Sequence, residues 1–117
     1  MVPVPGDDVP SVAVADLPAV VDEGLLLLDV REPDEWEVGH APTAVHVPMG
    51  EIVARLDEIP RDANVVVVCR SGHRSAAVTA YLTQGGWHAR NLAGGMLAWN
   101  AAGRPMTSET ASPPAVL

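Results

Sequence analysis

The amino-acid sequence predicts an α/β fold with a mostly parallel sheet, and two observations carry that prediction. Short apolar runs alternate with helical patterns along most of the chain, as in folds whose strands are joined by helical crossovers. Residues 64–68 read NVVVV, and a strand that is apolar on both faces is typical of a parallel sheet covered on both sides. Ligands of such sheets bind beyond the carboxyl ends of the strands, so we expect a site after Val68 and a second contribution after Val30.

Local signals place the elements in order. Asp16 is a candidate N-cap, and a glycine stands just beyond four of the five predicted helices, as is usual at helix ends. In the third helix, Ile52, Val53 and Leu56 are predicted to share one apolar face. The strands are predicted over 11–14, 25–30, 44–47, 64–68 and 89–92, and the helices over 16–22, 33–38, 50–56, 75–84 and 96–101.

A chain of 117 residues is long enough for one domain. Its composition, 48% hydrophobic, allows a packed core. Six of the eleven prolines lie near the two ends, which are also rich in serine and threonine at the C-terminal side. We therefore expect a flexible N-terminal segment over 1–10, one folded domain over 11–106 and a flexible C-terminal tail over 107–117.

The charge balance limits the partners. The chain has seven arginines, no lysine and fifteen acidic residues, for a net charge of −8. No basic patch can be assembled from this set, which argues against nucleic acid and anionic membranes, whereas a small anion needs only a local site. The single cysteine cannot form an internal disulfide, and no leader or membrane span is visible, so we expect a cytoplasmic protein. The four histidines lack zinc spacing, and we expect neither a metal nor a cofactor.

Residues 69–75, CRSGHRS, concentrate the chemistry of the chain. Cys69 follows the most apolar strand, Gly72 permits a positive φ, and the next helix turns its free N–H groups toward the loop. Such a ring of amides binds anions and stabilises a thiolate, which can take a cysteine pKa from ~8.5 to roughly 3.5–7.5. The segment therefore joins a charged nucleophile to an anion-binding ring.

The spacing within this segment separates two chemistries. Arg74 stands five residues after Cys69, whereas cysteine phosphatases use a loop one residue longer. The shorter loop should leave too little room for a phosphoryl group but should admit a sulfur atom bound to Cys69. Phosphatase or arsenate reductase activity is therefore the weaker alternative.

Four blocks of the sequence stand in order at ordinary spacing: LDVREPDEW at 28–36, GHAP at 39–42 with Ala44 and VP at 47–48, VVCRSGHRS at 67–75, and LAGGMLAW at 92–99 with AGRP at 102–105. On these blocks the sequence resembles the rhodanese family in its single-domain form, over about residues 11 to 106. It departs from the family at Thr43, where glycine is usual, and at His46, where asparagine is common. Neither departure touches the cysteine loop.

The resemblance implies a five-stranded parallel sheet flanked by helices, with the cysteine loop at its carboxyl edge. It also implies a thiosulfate sulfurtransferase that works by double displacement. In that scheme Cys69 takes the sulfane sulfur of a small anionic donor such as thiosulfate and carries it as a persulfide. A thiol or cyanide acceptor then removes it. An acceptor protein is a further possible partner.

The expected roles of the individual residues follow. Cys69 is the candidate nucleophile, Arg70 and Arg74 would attract the donor, and Arg74 would also brace the loop. Asp29 is expected to support neighbouring loop amides, while Arg31, Glu32 and Glu35 are expected to form a surface ion-pair cluster of little energetic weight, with Arg31 near the site as a supporting residue. The remaining donor-binding candidates are Ser71, Gly72, His73 and Ser75.

One alternative of a different class stays open. The acidic surface and small size also suit a carrier that receives a persulfide from a partner and hands it on, or a non-catalytic binding module. A carrier would gain the mass of one sulfur atom yet turn thiosulfate over poorly.

Overall fold

The structure, a computed structural model, describes residues 9–18 and 24–117. They form five strands, three α-helices and three short 3-10 segments. The strands are β1 (Ser11–Val12), β2 (Leu25–Asp29), β3 (Val45–His46), β4 (Asn64–Val68) and β5 (His88–Leu92). The α-helices are α1 (Pro33–Val38), α2 (His73–Gln84) and α3 (Gly95–Ala101). The 3-10 segments are Val14–Asp16, Met49–Glu51 and Val53–Glu58.

The five strands form one sheet in the order β1-β5-β4-β2-β3, and every pairing is parallel. The predicted α/β fold with a five-stranded parallel sheet is confirmed. From β2 the chain moves outward to β3, and from β4 it moves the opposite way to β5, so the carboxyl ends of β2 and β4 form a topological switch point. Crevices of parallel sheets open at such points. Asp29 ends β2 there, and Val68 ends β4 beside it.

Strand β4 divides the core into two layers. Val65 and Val67 face one cluster of buried side chains, which contains Val78 and Leu82 of α2. Val66 and Val68 face a second cluster, which α3 covers with Met96 and Trp99. Because successive residues of a strand point to opposite faces, a run of four valines fills both layers at once. The predicted burial of this strand on both faces is confirmed.

Two predicted helices take a different form. The segment 50–56 forms 3-10 turns, and Val53 is 68% exposed rather than on an apolar face. The backbone leaves helical geometry at Arg55, with φ −118° and ψ 23°, so the turns never lengthen into an α-helix. The segment 16–22 lies partly outside the described residues; within them, Asp16 ends a 3-10 turn over Val14–Asp16 instead of capping an α-helix.

The C-terminal segment, residues 107–117, lies alongside α1. His40 and Thr107 exchange two backbone hydrogen bonds, of 2.9 and 2.8 Å. Farther along, the Glu109 N–H donates to the Glu37 carbonyl and the Ala115 N–H to the Val38 carbonyl. The predicted flexibility of the C-terminal tail over 107–117 stays a prediction. So does that of the N-terminal segment over 1–10, most of which lies outside the described residues. Among residues 9–18 and 24–117, no helix has the length and hydrophobicity needed to cross a membrane.

Candidate active site

Cys69 occupies the first position after β4, at the switch point of the sheet. The chain turns tightly after it because Gly72 adopts φ +109°, in the left-handed region that favours glycine. Gly72 then serves as the N-cap of α2, which begins at His73. The Cys69 side chain is thus held between the end of a buried strand and the start of a helix, as the sequence predicted.

Several hydrogen-bond donors point at the Cys69 sulfur. The Gly72 N–H donates to Sγ at 3.1 Å, and the Ser75 Oγ lies 3.2 Å from Sγ. Both donors come from the first turn of α2 and its cap, where backbone N–H groups have no intrahelical partner. Their convergence makes the loop a small cup lined by hydrogen-bond donors.

Helix α3 holds the opposite side of the loop. The Met96 N–H donates to the Cys69 carbonyl at 2.8 Å, and the Leu97 N–H donates to the Arg70 carbonyl at 3.1 Å. The loop carbonyls are therefore drawn toward α3. This approach requires Gly95, since a Cβ there would meet the Cys69 carbonyl oxygen and lie 2.6 Å from that of Arg70.

The environment favours the thiolate form of Cys69. Burial by itself raises the pKa of this thiol. Hydrogen bonds from the Ser75 hydroxyl and from the backbone N–H groups of Ser75, Gly72 and Ser71 outweigh burial, so the pKa lies below its usual value. A lowered pKa in a cup of donors is the setting of a reactive cysteine rather than of an inert structural one.

Arg74 does not point freely into solvent. Its guanidinium forms a two-pronged ion pair with Glu35 of α1, with N–O distances of 2.6 and 2.9 Å. The pair lowers the pKa of Glu35 to about 2, chiefly through the hydrogen bond from Arg74. The charge of Arg74 is therefore balanced within the protein, and the side chain ties the first turn of α2 to α1.

Arg70, Ser71 and His73 lie at the mouth of the loop. The Arg70 Nε donates to the main-chain oxygen of Leu117 at 2.5 Å. The Ser71 hydroxyl lies 3.3 Å from Nδ1 of His73, and neither side chain hydrogen-bonds to Sγ of Cys69. Within residues 9–18 and 24–117, no aspartate or glutamate side chain forms an ion pair with Arg70, which distinguishes it from Arg74.

The expectation of a surface cluster over Arg31, Glu32 and Glu35 is wrong. Arg31 is fully buried, and its guanidinium binds both carboxylate oxygens of Asp29 and the Gly39 carbonyl. The Asp29 carboxylate also accepts the Arg31 backbone N–H at 3.1 Å. The pair lies at the end of β2, and the bond to the Gly39 carbonyl ties it to the residue that caps the end of α1.

Three residues of the site carry no strong signal in the sequence. Glu35 and Asn91 reach the loop from elements far from it in the chain, and Gly95 acts through the space it leaves. The glycine pair at 94–95 was visible only as part of the fourth block of the resemblance. Among residues 9–18 and 24–117, no cluster of three histidine, cysteine or acidic side chains has the arrangement of a metal site.

Comparison with known proteins agrees with this fold. The family model of the rhodanese-like domain matches residues 14–102 of this chain. A protein named sulfurtransferase from Allochromatium vinosum is 45% identical over 87 residues, which is 74% of this chain and 81% of that protein. The chain therefore belongs to the rhodanese-like domain family, a family of sulfurtransferases.

Two solved structures share the architecture. A rhodanese-related protein from Thermoplasma volcanium is 32% identical and superposes with a TM-score of 0.78, covering 84% of this chain and 97% of the other. A thiosulfate sulfurtransferase from Pseudomonas aeruginosa is 29% identical with a TM-score of 0.76, covering 87% of this chain and 21% of the other. The fold of the chain is thus a rhodanese-like one.

Proposed function

We propose that this protein transfers a sulfane sulfur from thiosulfate, or a related small anionic donor, to a thiol or cyanide acceptor through a persulfide on Cys69. The observation that carries the proposal is the convergence of the Gly72 N–H and the Ser75 hydroxyl on Sγ. These donors favour a thiolate, which is the nucleophilic form of cysteine. A preformed thiolate needs no separate general base, so His73 has no obligatory proton to move.

The reaction is a double displacement. The Cys69 thiolate attacks the outer sulfur of thiosulfate, the sulfur–sulfur bond of the donor breaks, and sulfite leaves with the bonding electron pair. Cys69 then carries one extra sulfur, whose negative charge faces the donors of the cup. The acceptor attacks that outer sulfur, takes it, and returns Cys69 as a thiolate. No electrons enter or leave the protein over the complete cycle.

The two arginines of the loop take different parts in this proposal. Arg70 is exposed, and its Nε donates to the main-chain oxygen of Leu117. No aspartate or glutamate of residues 9–18 and 24–117 pairs with its guanidinium, so in this proposal its two Nη groups attract the dianionic donor to the mouth of the loop. Arg74 is balanced by Glu35 and braces the start of α2 instead. Ser71, Gly72, His73 and Ser75 complete the proposed donor-binding set, and Asp29 and Arg31 take the role of supporting residues at the end of β2.

The proposal includes a setting in the cell. A single reactive cysteine persists as a thiol in the reducing cytoplasm, and the acidic surface leaves a protein acceptor as a possible partner besides a small thiol. We place the protein in the cytoplasm on that ground.

The test combines turnover with intact mass. The protein is mixed with thiosulfate, its mass is measured, cyanide is added, and thiocyanate is quantified. We expect the mass of one added sulfur atom, its loss on adding cyanide, and thiocyanate formation that Cys69→Ser abolishes. Ser11→Ala is the matched comparison, because it removes an exposed serine hydroxyl at the start of β1, outside the cysteine loop, and should keep thiocyanate formation.

Two outcomes would contradict the proposal. A sulfur adduct that forms but is discharged by neither cyanide nor a small thiol would favour the carrier alternative. Absence of an adduct with thiosulfate and with several other sulfane donors would remove Cys69 persulfide chemistry altogether.

A further inference from the structure

Asn91 of β5 contacts the cysteine loop through both ends of its side-chain amide. Its Oδ1 lies 2.5 Å from the Ser75 Oγ, and its Nδ2 donates to the Gly72 carbonyl at 3.1 Å. The residue is 5% exposed. The amide has one workable orientation, because the Gly72 carbonyl can only accept a hydrogen bond and must face Nδ2. Oδ1 is thereby directed at Ser75.

The backbone of Asn91 is also fixed. It pairs with Val67 of β4 on one side and with Ser11 of β1 on the other, and its N–H donates to the Pro10 carbonyl at 2.7 Å. The amide group is therefore presented to the loop from the interior of the sheet, where its rotation is restricted by packing.

Ser75 has one hydroxyl proton and two acceptors. Sγ of Cys69 lies 3.2 Å from its Oγ, and Oδ1 of Asn91 lies 2.5 Å away. A hydroxyl donates to one of these at a time. Ser75 is fully buried, so water does not supply a second donor. The two acceptors therefore compete for the same proton.

We propose that Asn91 is a positioning residue that holds the Ser75 hydroxyl whenever Sγ carries no charge and releases it to Sγ when Cys69 is a thiolate. The inference rests on the proposed function for its place in the cycle. Once Sγ is bonded to the transferred sulfur, the charge moves to the outer sulfur and the hydroxyl returns to Asn91. The change is a rotation about the Cβ–Oγ bond of Ser75, so no covalent bond forms or breaks.

Two substitutions separate the acceptor from the rest of the amide. Asn91→Leu is nearly isosteric and removes the competing acceptor, whereas Asn91→Asp keeps an acceptor for Ser75. Both lose the hydrogen bond to Gly72, so any effect of that loss is common to them. We expect Asn91→Leu to lower the thiolate pKa by about half a unit to one unit, since the hydroxyl is then left with Sγ. Asn91→Asp should raise it, because it keeps an acceptor for Ser75 and also adds a negative charge near Sγ.

The measurement is a pH titration of the ultraviolet absorbance of the thiolate, repeated in the Ser75→Ala background. In that background we expect Asn91→Leu to leave the thiolate pKa unchanged, because the hydroxyl that links the two groups is gone. A purely structural role would shift the pKa equally in both backgrounds. That result, or a rise in the Asn91→Leu variant, would overturn the proposal.

The titration uses no sulfur donor, so it stays interpretable even if thiosulfate proves not to be a substrate. Circular dichroism and denaturant unfolding show whether each variant is folded. If Asn91→Leu fails to fold, Asn91→Ala removes the same acceptor with less bulk and enters the same comparison.

Discussion

The ion pair between Glu35 and Arg74 joins α1 to the first turn of α2, directly behind the cysteine loop. Glu35 is 14% exposed at its side chain and Arg74 is 34% exposed, so the pair is only partly shielded from solvent. Its two-pronged geometry still fixes the direction of the Arg74 side chain. The consequence is a loop whose helix cap is anchored from outside its own segment of chain.

Loss of this pair should weaken the protein in a pH-dependent way. The folded protein lowers the pKa of Glu35 from 4.5 to about 2, so the pair stabilises the fold fully above the unfolded value. This contribution disappears as the pH falls toward the folded value. We expect Glu35→Gln to reduce the free energy of unfolding at neutral pH by about 1–2 kcal/mol, after allowance for solvent screening.

The measurement is urea unfolding as a function of pH, with Glu58→Gln as the matched control. Glu58 pairs with Arg55 on the exposed surface, where such pairs contribute little. Between pH 4.5 and about 2, the free energy of unfolding of the Glu35→Gln protein should fall less than that of the native protein. Equal curves for Glu35→Gln and the native protein would show that the pair does not stabilise the fold.

At the scale of residues, the sequence predicts contacts between residues that are close in the chain but not contacts between residues that are far apart in it. Cys69, Gly72 and Ser75 lie in one segment, so a strand followed by a helix was enough to predict that they meet. Glu35 lies 39 positions from Arg74 and Asn91 lies 16 from Ser75, and no local pattern reports such contacts. The burial of Arg31 was missed for the same reason, since it depends on the Gly39 carbonyl eight residues away.

At the scale of elements, the N-terminal turn of α3 and the cysteine loop approach each other at Gly95. This glycine has φ +56° and is buried. Its lack of a side chain lets the Met96 and Leu97 N–H groups reach the carbonyls of Cys69 and Arg70. The helix thus sets the direction of the loop backbone without supplying a side chain to the cup.

Gly95→Ala should therefore lower the free energy of unfolding more than a glycine substitution elsewhere at positive φ. The new Cβ would lie 2.6 Å from the Arg70 carbonyl oxygen, which belongs to the backbone and cannot rotate away. We expect about 2–4 kcal/mol of destabilisation from strain and crowding together. Gly103→Ala is the matched control, because Gly103 has φ +71° and a Cβ added there would meet nothing within 4 Å; it should cost about 1–2 kcal/mol.

Denaturant unfolding and alkylation of Cys69 check this prediction together. We expect the Gly95→Ala protein to be alkylated more slowly at neutral pH, because displaced loop carbonyls disturb the donors around Sγ. If both glycine variants lose the same stability and react at the same rate, the close approach has no effect of its own.

The sequence predicted strands and helices well where apolar residues were continuous and glycine marked the ends. β4 and α1 have the predicted bounds, and α2 and α3 begin slightly earlier than predicted. One failure came at 50–56, where the apolar spacing suits a helix but short 3-10 turns form instead; another came at Asp16, which ends a 3-10 turn instead of capping a helix. Periodicity cannot distinguish these states in so short a segment.

At the scale of the whole molecule, the C-terminal segment, residues 107–117, runs from the end of α1 to the mouth of the cysteine loop. It begins at the bridge between His40 and Thr107, passes the backbone of Gly39, and brings Leu117 to Arg70. Val116 packs against the core layer beneath α3. The segment thus contacts α1, the cysteine loop and the core layer beneath α3.

Gly39→Ala tests the contact between this segment and the end of α1. The backbone of Gly39 is extended, with φ 178°, so alanine fits its conformation, but the added Cβ would lie 2.8 Å from the Ala115 nitrogen and collide with its carbonyl oxygen. We expect the segment to move away from Gly39 at Ala115, and the amide of Ala115 to exchange hydrogen at least several-fold faster. The protein should lose about 1–3 kcal/mol of stability.

Amide hydrogen exchange across residues 107–117 gives the readout, with Gly50→Ala as the matched control. A Cβ at Gly50 meets nothing within 4 Å, so its exchange pattern should match that of the native protein. Unaltered protection of Ala115 in the Gly39→Ala protein would mean that the segment does not depend on this contact.

The position of Leu117 has a practical consequence for handling the protein. Its main-chain oxygen lies 2.5 Å from the Arg70 Nε, so any residues joined after it emerge beside the mouth of the cysteine loop. An affinity handle rich in histidine or acidic side chains, fused directly after Leu117, would sit where an anion approaches. Kinetic work should therefore place no such handle at this position, or remove it before the assay.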